Sequence, residues 1–358
     1  MKLLRLSPTI KSTTSAYNQF SLGFKDRIDQ TIISLQEVEV DIDPKIKALH
    51  GGGSPYNFYR EVKRSIRDSH YDVVHIHNGI TGILFLLAIF PRHLPLLKRT
   101  IFTLHNSWSV FKLRNRLLNI ILMFFVSRIC TCGRSSQSSL PWLMRALFGH
   151  KTQEIINGFD NDRIDRVSKS RGDFNHFNSA SRLKIVYVGA LVSKKNQLAL
   201  LKALRQVDVG AEIIFLGEGE DRRRLTEYSS RIETSKVVFC GCVSRDETIA
   251  HMLEADVFIS LSRGEGLPIA VLEAMYSGCF LVLSDIPPHI EIAPPAERCI
   301  YVDIEREAEI IECLEFVAAN LEDIQMHRSV AKEYALEKFG LDNMLSDYFK
   351  IYNEVNPQ

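Results

Sequence analysis

Two glutamates flank a segment whose residues favour the beginning of a helix. Glu265 and Glu273 belong to the run EGLPIAVLEAM, which directly follows the strand-like segment 256–261. Pro268 suits the first turn of a helix, because the backbone N–H that proline lacks would have no partner there. The helix is therefore predicted to begin near Leu267. The N–H groups and the dipole at such a helix end can hold a phosphate group.

The two carboxylates lie on either side of this predicted phosphate site. Glu265 comes just before the helix, and Glu273 should lie two turns inside it, about 9 Å further along the axis. Carboxylates accept hydrogen bonds from the hydroxyl groups of ribose and hexose. The pattern suits a nucleotide sugar, which has hydroxyl groups at both ends and a diphosphate between them. A helix with two solvated glutamates has the same spacing, so the pattern alone leaves both interpretations open.

Strand-like and helix-like segments alternate along the whole chain, which predicts parallel sheets with helices on both faces. Each half of the chain contains six short apolar runs bounded by turn residues. The runs are 2–6, 31–35, 72–77, 100–104, 128–132 and 154–156, then 183–188, 212–216, 236–239, 256–261, 280–283 and 299–302. The expected fold class is α/β, with two Rossmann-like doubly wound domains that face a central cleft.

The domain boundaries follow from the polar stretch near the middle of the chain. An N-terminal domain is predicted over 1–162 and a linker over 163–181, where apolar residues are few and show no period. The C-terminal domain is predicted over 182–338. Residues 339–358 should form a last helix that returns to the N-terminal domain.

Composition excludes several classes of protein. The chain is 46% apolar and 24% charged, which is typical of a soluble globular protein and not of a disordered one. The most apolar stretches, 82–90 and 117–126, are shorter than the roughly 20 residues that a membrane-spanning helix needs. The first residues have no apolar core of signal-peptide length.

Seven cysteines are scattered along the chain, two pairs of them as Cys130-x-Cys132 and Cys240-x-Cys242. Neither a CxxC pair nor a histidine ligand cluster accompanies them, which disfavours a metal site. They are expected to be buried structural thiols of a reducing compartment, which indicates a cytoplasmic protein.

The two halves of the chain differ in charge. Residues 1–170 contain 24 Lys and Arg against 13 Asp and Glu, a net charge of +11, and residues 171–358 carry −10. A basic half suits an anionic partner such as a phosphorylated acceptor, nucleic acid or a membrane surface. Membrane contact would use a basic helix with apolar residues, although the same helix could simply pack on the sheet. The apolar residues concerned are Leu113, Leu117, Leu118, Ile121 and Leu122.

Several motifs occur together in the order and spacing of one known enzyme family. The Glu-x7-Glu run is followed by Ser277 and Gly278, and the other motifs are YVGAL at 187–191 with Lys195 and Asn196, FLGEG at 215–219, INGFD at 156–160, DVVHIHN at 72–78 and TLHN at 103–106. In these segments, which extend over most of the chain, the protein closely resembles the retaining GT-B glycosyltransferases of family 4.

The resemblance implies a role for each matching residue. Glu273 would bind the ribose hydroxyls of the donor, Glu265 the hydroxyls of the transferred sugar, and Lys195 the diphosphate. His105 resembles the histidine that the family places near the reacting carbon, so the implied catalytic residues are His105, Glu265 and Lys195. The implied donor site also includes Gly189, Gly217, Gly266, Leu267, Pro268 and Arg224. The implied acceptor side includes Ser12, Thr13, Asn78 and Asn106.

Other roles stay open for the histidines. A structural position at a strand end is the alternative for His105. For His75 and His77, which share one face of a strand, a structural role is favoured.

The sequence departs from the family pattern in two places. Ala190 stands where the family has an arginine, so one of two expected diphosphate cations is missing; Lys194, Arg224 and Arg245 are the candidates to replace it. The family's N-terminal Gly-Gly loop is also absent, and the hydroxyl-rich segment 7–15 takes its place.

The implied reaction transfers a sugar from a UDP- or GDP-sugar, with retention at the anomeric carbon, to a glycan or lipid-linked glycan acceptor. The acceptor is expected in O-antigen, capsule or exopolysaccharide biosynthesis. No Asp-x-Asp cluster is placed to hold the diphosphate, so no metal or other cofactor is expected. The expected partners are this donor, this acceptor and an anionic membrane surface, without nucleic acid.

Other functions remain open. An epimerase or phosphorylase of the same fold is one, and an epimerase would need no acceptor. A catalytically silent partner in a glycan biosynthetic complex is another; Ala190 favours it, and the intact Glu265 and Glu273 disfavour it. A dinucleotide oxidoreductase is disfavoured, because no G-x-G-x-x-G motif follows a first strand.

Overall fold

The computed structural model describes residues 1–11, 14–171, 182–326 and 328–356. They form two compact units. Unit 1 consists of residues 1–158 together with the segment from Leu341 onward, and unit 2 consists of residues 159–340.

Unit 1 contains a seven-stranded sheet in which every pair of neighbouring strands is parallel. Its strands are β1 (Lys2–Ser7), β2 (Asp29–Ser34), β3 (Ile46–His50), β4 (Val73–Ile76), β5 (Thr100–Leu104), β6 (Arg128–Thr131) and β7 (Thr152–Glu154). Its first six helices are α1 (Leu22–Phe24), α2 (Pro55–Asp68), α3 (Gly79–Ile89), α4 (Leu113–Phe125), α5 (Arg134–Ser138) and α6 (Trp142–Phe148). A short π-helix, Ala16–Ser21, precedes α1.

Unit 2 contains a six-stranded sheet, also parallel throughout. Its strands are β8 (Lys184–Val188), β9 (Glu212–Leu216), β10 (Lys236–Gly241), β11 (Val257–Ser260), β12 (Phe280–Ser284) and β13 (Cys299–Val302). Its helices are α7 (Asn161–Arg171), α8 (Gln197–Leu204), α9 (Arg222–Ser229), α10 (Arg245–Glu254), α11 (Ile269–Tyr276), α12 (Pro287–Ile292), α13 (Glu307–Ala319), α14 (Leu321–Met326) and α15 (Arg328–Phe339). The last helix of the chain, α16 (Leu341–Val355), belongs to unit 1.

Both sheets have the strand order of a Rossmann-like fold. In unit 1 the order is β3-β2-β1-β4-β5-β6-β7, and in unit 2 it is β10-β9-β8-β11-β12-β13. The direction of winding reverses between β1 and β4 and again between β8 and β11. Ligands of such sheets bind outside the carboxyl ends of the strands at this reversal point. The predicted α/β fold with two doubly wound domains is confirmed.

Burial explains why the strands were visible in the sequence. Helices cover both faces of a parallel sheet, so its strands appear as continuous apolar runs. All five residues of β5 and of β12 are buried, for example. The edge strand β3 has one fully buried residue, Ile46, and the sequence analysis did not predict it.

The predicted linker is wrong in its first part. Residues 163–171 belong to α7, a helix of unit 2 that buries Ile164 and Val167. Arg163 also lies 2.6 Å from Asp246 of α10. Spaced three residues apart, the two apolar side chains lie on one face of an otherwise polar helix, which is enough to pack it. The remaining linker residues, 172–181, lie outside the described residues.

The C-terminal helix α16 packs in the core of unit 1. Its Tyr348 and Tyr352 are buried with Leu3 and Val73 of the sheet and with Phe20. The last helix therefore covers a sheet built almost entirely from the beginning of the chain.

None of the helices in the described residues is long and apolar enough to cross a membrane.

The expectation that the cysteines are buried is wrong for two of them. Cys242 is exposed, and Cys240 is half-buried. Both lie where β10 ends at Gly241, whose φ of +75° interrupts the regular strand geometry.

Candidate functional sites of the two units

The strand ends of β8 and β9 approach each other closely in unit 2. The N–H of Gly189 donates to the carbonyl oxygen of Leu216 at 2.9 Å. Gly189 and Gly217 have φ values of +147° and +141°, which L-residues rarely adopt. A β-carbon at Gly217 would also overlap the carbonyl oxygen of Gly189. These glycines, both predicted site residues, are therefore required by the backbone.

The same turn positions Lys195. Its Cε lies 3.2 Å from the point where a β-carbon on Gly189 would stand, so the glycine leaves room for the lysine side chain. The buried Tyr187 hydroxyl accepts from the N–H of Leu261 at 2.9 Å and donates to the carbonyl oxygen of Lys195. Lys195 is thus held between β8 and the end of β11, at the reversal point of the sheet.

Glu265 is the partner of Lys195. The Lys195 Nζ lies 2.6 Å from Glu265 Oε1, and the Lys194 Nζ lies 3.8 Å from Glu265 Oε2. Burial opposes ionisation of Glu265, whose side chain is 9% exposed, but the two lysines outweigh it and lower the pKa of the carboxyl. The structure brings together a carboxylate that accepts from hydroxyl groups and an ammonium that neutralises a phosphate.

Helix α11 begins two residues later than predicted. Ile269 is its first residue and Pro268 is its N-cap, with φ −78° and ψ 109°. Gly266 and Leu267 are buried directly before this helix end. Glu273 therefore lies little more than one turn inside the helix, and the predicted two turns are wrong.

Glu273 is buried and forms an ion pair with Arg245, the first residue of α10. Burial is the largest cause that lowers the pKa of Arg245 to about 10, and repulsion from Arg163 is the next largest. The guanidinium therefore stays charged at neutral pH. The alternative of two solvated glutamates is wrong, because the side chains of Glu265 and Glu273 are 9% and 4% exposed.

The three candidate replacements for the missing arginine lie in different places. Lys194 faces Glu265, and Arg245 faces Glu273. Arg224 is exposed on α9 and lines a cavity of 390 Å³ together with Asn196 and Arg263. Two of the three cations are thus paired with the two glutamates of the motif.

In unit 1, three histidines gather around a buried arginine. Arg5 of β1 is fully buried, and its Nη1 lies 3.1 Å from His75 Nδ1 and 3.2 Å from His77 Nε2. His77 Nδ1 lies 2.8 Å from His105 Nε2. Sequence analysis missed Arg5, although an arginine in the middle of the apolar run KLLRLS was a visible signal.

Hydrogen bonding fixes the protonation of these rings. A guanidinium only donates, so His77 Nε2 is an acceptor and His77 Nδ1 carries the hydrogen. His77 then donates to His105 Nε2, which leaves the hydrogen of His105 on Nδ1. Burial is the largest cause that lowers the pKa of His105 to about 4, and the positive charge of Arg5 is the second. His105 is a neutral imidazole with an N–H donor at pH 7.

The predicted acceptor-side residues can be placed in part. Asn78, His105 and Asn106 line one cavity of 70 Å³ with His77 and Asn119. The Asn78 side chain also accepts from the N–H of Ile80 at 2.9 Å and so caps α3. Ser12 and Thr13 lie outside the described residues. Within the described ranges, no group of three or more His, Cys, Asp or Glu side chains is arranged to hold a metal ion.

Comparison with known proteins finds similar sequences. Residues 170–334 match the family model of the glycosyl transferases group 1. The chain is 24% identical over 249 residues to the capsular polysaccharide biosynthesis glycosyltransferase CapH of Staphylococcus aureus, an alignment that covers 66% of this chain and 65% of CapH. It is 29% identical over 167 residues to the GDP-mannose:cellobiosyl-diphosphopolyprenol alpha-mannosyltransferase of Xanthomonas oryzae pv. oryzae, covering 44% of this chain and 42% of that enzyme. Both alignments span less than two thirds of the relative's length.

The whole fold has a solved counterpart. The crystal structure of Alr3699/HepE from Anabaena in complex with UDP and glucose matches with a TM-score of 0.79 and 17% identity, covering 99% of this chain and 100% of that chain. The chain therefore has a GT-B fold, and its C-terminal half contains a domain that matches the glycosyl transferases group 1.

The burial of His105 predicts how this residue titrates. His105 should stay neutral down to about pH 5, because burial and Arg5 lower its pKa to about 4. A histidine-selective NMR titration, with the His105 signals identified by their loss in His105→Gln, should show no shift between about pH 8 and pH 5.5. In urea-unfolded protein the same signals should titrate near pH 6.5, roughly the value of a free imidazole. A midpoint near 6.5 in the folded protein would contradict the lowered pKa of His105.

Proposed function

We propose that the protein transfers a hexose from a UDP- or GDP-sugar to a lipid-linked glycan, with retention of the anomeric configuration, during assembly of a cell-surface polysaccharide. The observation that carries the proposal is the pair of buried ion pairs at α11, Lys195–Glu265 before the helix and Arg245–Glu273 within it. The name of CapH supports a role in polysaccharide assembly, and the name of the Xanthomonas mannosyltransferase supports a lipid-linked saccharide as acceptor. UDP and glucose in the HepE crystal support a nucleotide-sugar donor.

Both members of the first ion pair suit the donor, and in the second pair Glu273 does. When a diphosphate binds at the N-terminal end of α11, Lys195 neutralises it and Glu265 is left to accept from the sugar hydroxyls. Glu273 accepts from the ribose hydroxyls, while Arg245 keeps its buried charge compensated. A buried carboxylate without such a cation would cost several kcal/mol.

The chemical step then needs stabilisation of the leaving group. The bond between the anomeric carbon and the phosphate oxygen breaks, and a bond to the acceptor oxygen forms on the same face of the sugar. The proton of the acceptor hydroxyl goes to the leaving phosphate. The positive end of α11 and Lys195 stabilise the charge that develops there. In unit 1, His105 offers a neutral N–H donor to a substrate oxygen.

The proposed function is tested by a donor panel. The protein is incubated with UDP- and GDP-hexoses and a polyprenyl-diphosphate-linked saccharide, with and without EDTA, and the linkage formed is analysed by NMR. We expect one donor class to react, with retained configuration and undiminished rate in EDTA. Conversion of the donor sugar without acceptor would indicate an epimerase. Complete loss of activity in EDTA that Mg²⁺ restores would show that a metal, and not Lys195 with the helix end, holds the diphosphate.

Glu273 provides a test of the donor site. Glu273→Gln should lower kcat/KM for the donor about 10- to 100-fold, because a charged hydrogen bond to a hydroxyl contributes roughly 1.5–3 kcal/mol. Since the substitution also leaves the buried Arg245 without its counterion, a lower melting temperature is expected as well. Glu227→Gln, at an exposed position of α9, is the matched control. Unchanged donor kinetics in Glu273→Gln would remove the assignment.

We also propose that unit 1 contacts an anionic membrane surface reversibly. Helices α4 and α6 adjoin, since the rings of Phe124 and Phe148 are 4.9 Å apart. Between them they expose many apolar side chains, together with the basic Lys112, Arg114 and Arg145. The exposed apolar residues are Leu113, Leu117, Ile121, Phe124, Phe125, Trp142, Leu143 and Leu147. Leu122 was expected to enter the membrane, but it is fully buried, and Leu118 is only partly exposed.

Vesicle sedimentation tests this contact. The protein should bind anionic vesicles at low salt and bind them less as added salt shortens the Debye length. Leu117→Ser combined with Trp142→Ser should weaken binding several-fold, because apolar area that enters the interface is lost. Ile290→Ser, at an exposed apolar position of unit 2, is the control and should bind as the wild type does. Equal, negligible binding to anionic and neutral vesicles at low salt would contradict the proposal.

A further inference from the structure

A buried histidine of unit 2 lies outside the Glu265–Glu273 motif. One of its ring nitrogens has no role in the proposed mechanism. His289 lies on α12, just after β12, and is fully buried. Its Nε2 is shielded from solvent and has no hydrogen-bond partner in the part of the chain that the structure describes. A buried polar atom without a partner is unfavourable, so such an atom points to a ligand that completes it.

The neighbours of His289 determine what that ligand must offer. The Ser284 hydroxyl donates to the carbonyl oxygen of Ser262 at 2.7 Å, so it has no hydrogen left for the imidazole. His289 Nδ1 lies 3.0 Å from both the hydroxyl oxygen and the carbonyl oxygen of Ser284, and both are acceptors. Nδ1 therefore carries the hydrogen. Nε2 presents a lone pair, which accepts a hydrogen bond from a hydroxyl and repels a phosphate oxygen.

The position of His289 links it to the sugar-binding carboxylate. Through Ser284 the imidazole is connected to the carbonyl group of Ser262, which lies two residues after the end of β11 and three residues before Glu265. The charges of Glu265 and Lys195 both act on the ring. Burial lowers the pKa of His289 to about 4, although the Ser284 carbonyl and Glu265 act in the opposite direction. The ring is therefore neutral at physiological pH and serves as an acceptor, not as an acid.

We infer that His289 Nε2 accepts a hydrogen bond from a hydroxyl group of the transferred sugar and so selects donors that carry this hydroxyl. The inference rests on the proposed function, because the sugar is the ligand that Glu265 and Lys195 would hold. Two acceptors, a carboxylate and a bare imidazole nitrogen, then face the same sugar. A sugar that lacks the matching hydroxyl would leave Nε2 buried and unpaired, which is the kind of mismatch that sites reject strongly.

The experiment measures kcat/KM for each combination of a His289 variant and a deoxy donor. UDP-glucose, GDP-mannose and their 2-, 3-, 4- and 6-deoxy analogues are compared with wild type, His289→Leu and His289→Gln. In the wild type, one deoxy position should cost about 10- to 100-fold in kcat/KM. In His289→Leu the same deoxygenation should cost less than about 2-fold, since the acceptor is already absent. His289→Gln, whose amide oxygen can accept, should retain part of the discrimination.

A second measurement separates the sugar from the nucleotide. Binding of UDP or GDP alone should be unchanged by His289→Leu within about 2-fold, because a role toward the sugar leaves the nucleotide contacts intact. In the wild type, the ¹⁵N shift of His289 Nε2 should move on addition of a nucleotide sugar but not of the nucleoside diphosphate, and this test does not depend on the folding of a variant.

The outcomes distinguish the two proposals. If donors react but no deoxy position is coupled to His289 and the ¹⁵N shift stays constant, Nε2 is completed by a water molecule and the inference fails while the function stands. If the wild type binds and transfers no nucleotide sugar, the proposed function fails and the inference fails with it.

Discussion

Glu265 is almost completely buried at the reversal point of the second sheet, where an isolated charge would cost several kcal/mol. Lys195 offsets this cost at 2.6 Å, and Lys195 itself is held in place by Tyr187 and by the space that Gly189 leaves. The glycine turns, the buried tyrosine and the beginning of α11 are therefore all linked to one ion pair. Compensation of a buried carboxylate is the constraint on which the site of unit 2 depends.

The second buried carboxylate follows the same rule with a different cation. Glu273 lies inside α11 and is compensated by Arg245 from the beginning of α10. Removal of one partner would leave the other charged and buried, so each residue depends on its partner. In the proposed function, the diphosphate takes the place of Glu265 beside Lys195, while Arg245 stays paired with Glu273.

Unit 1 uses the opposite arrangement. Arg5 is a buried cation surrounded by imidazoles and aromatic rings, with its guanidinium 5.2 Å from the centre of the Phe20 ring. Burial of the rings is the main cause that lowers the pKa values of His75, His77 and His105, and the charge of Arg5 acts in the same direction, so the three rings stay neutral. Because the guanidinium only donates, it also sets the tautomer of the chain that ends at His105. A single arginine thus determines which nitrogen of His105 can donate.

The sequence by itself determined the central strands, because both faces of a parallel sheet are buried there and strands such as β5 and β12 are apolar throughout; it did not determine the edge strand β3, which has one buried residue. It also determined the beginning of α11 within two residues, because Pro268 acts locally, and the order of Lys195, Glu265 and Glu273 along the chain. Tertiary structure decided which cation meets which carboxylate, since Arg245 and Glu273 are 28 residues apart and only packing joins them. It decided that α7 is a helix of unit 2, because Ile164 and Val167 are buried only when the rest of unit 2 has folded. It also decided the protonated nitrogens of His105 and His289, because a tautomer depends on neighbours that hydrogen-bond across strands.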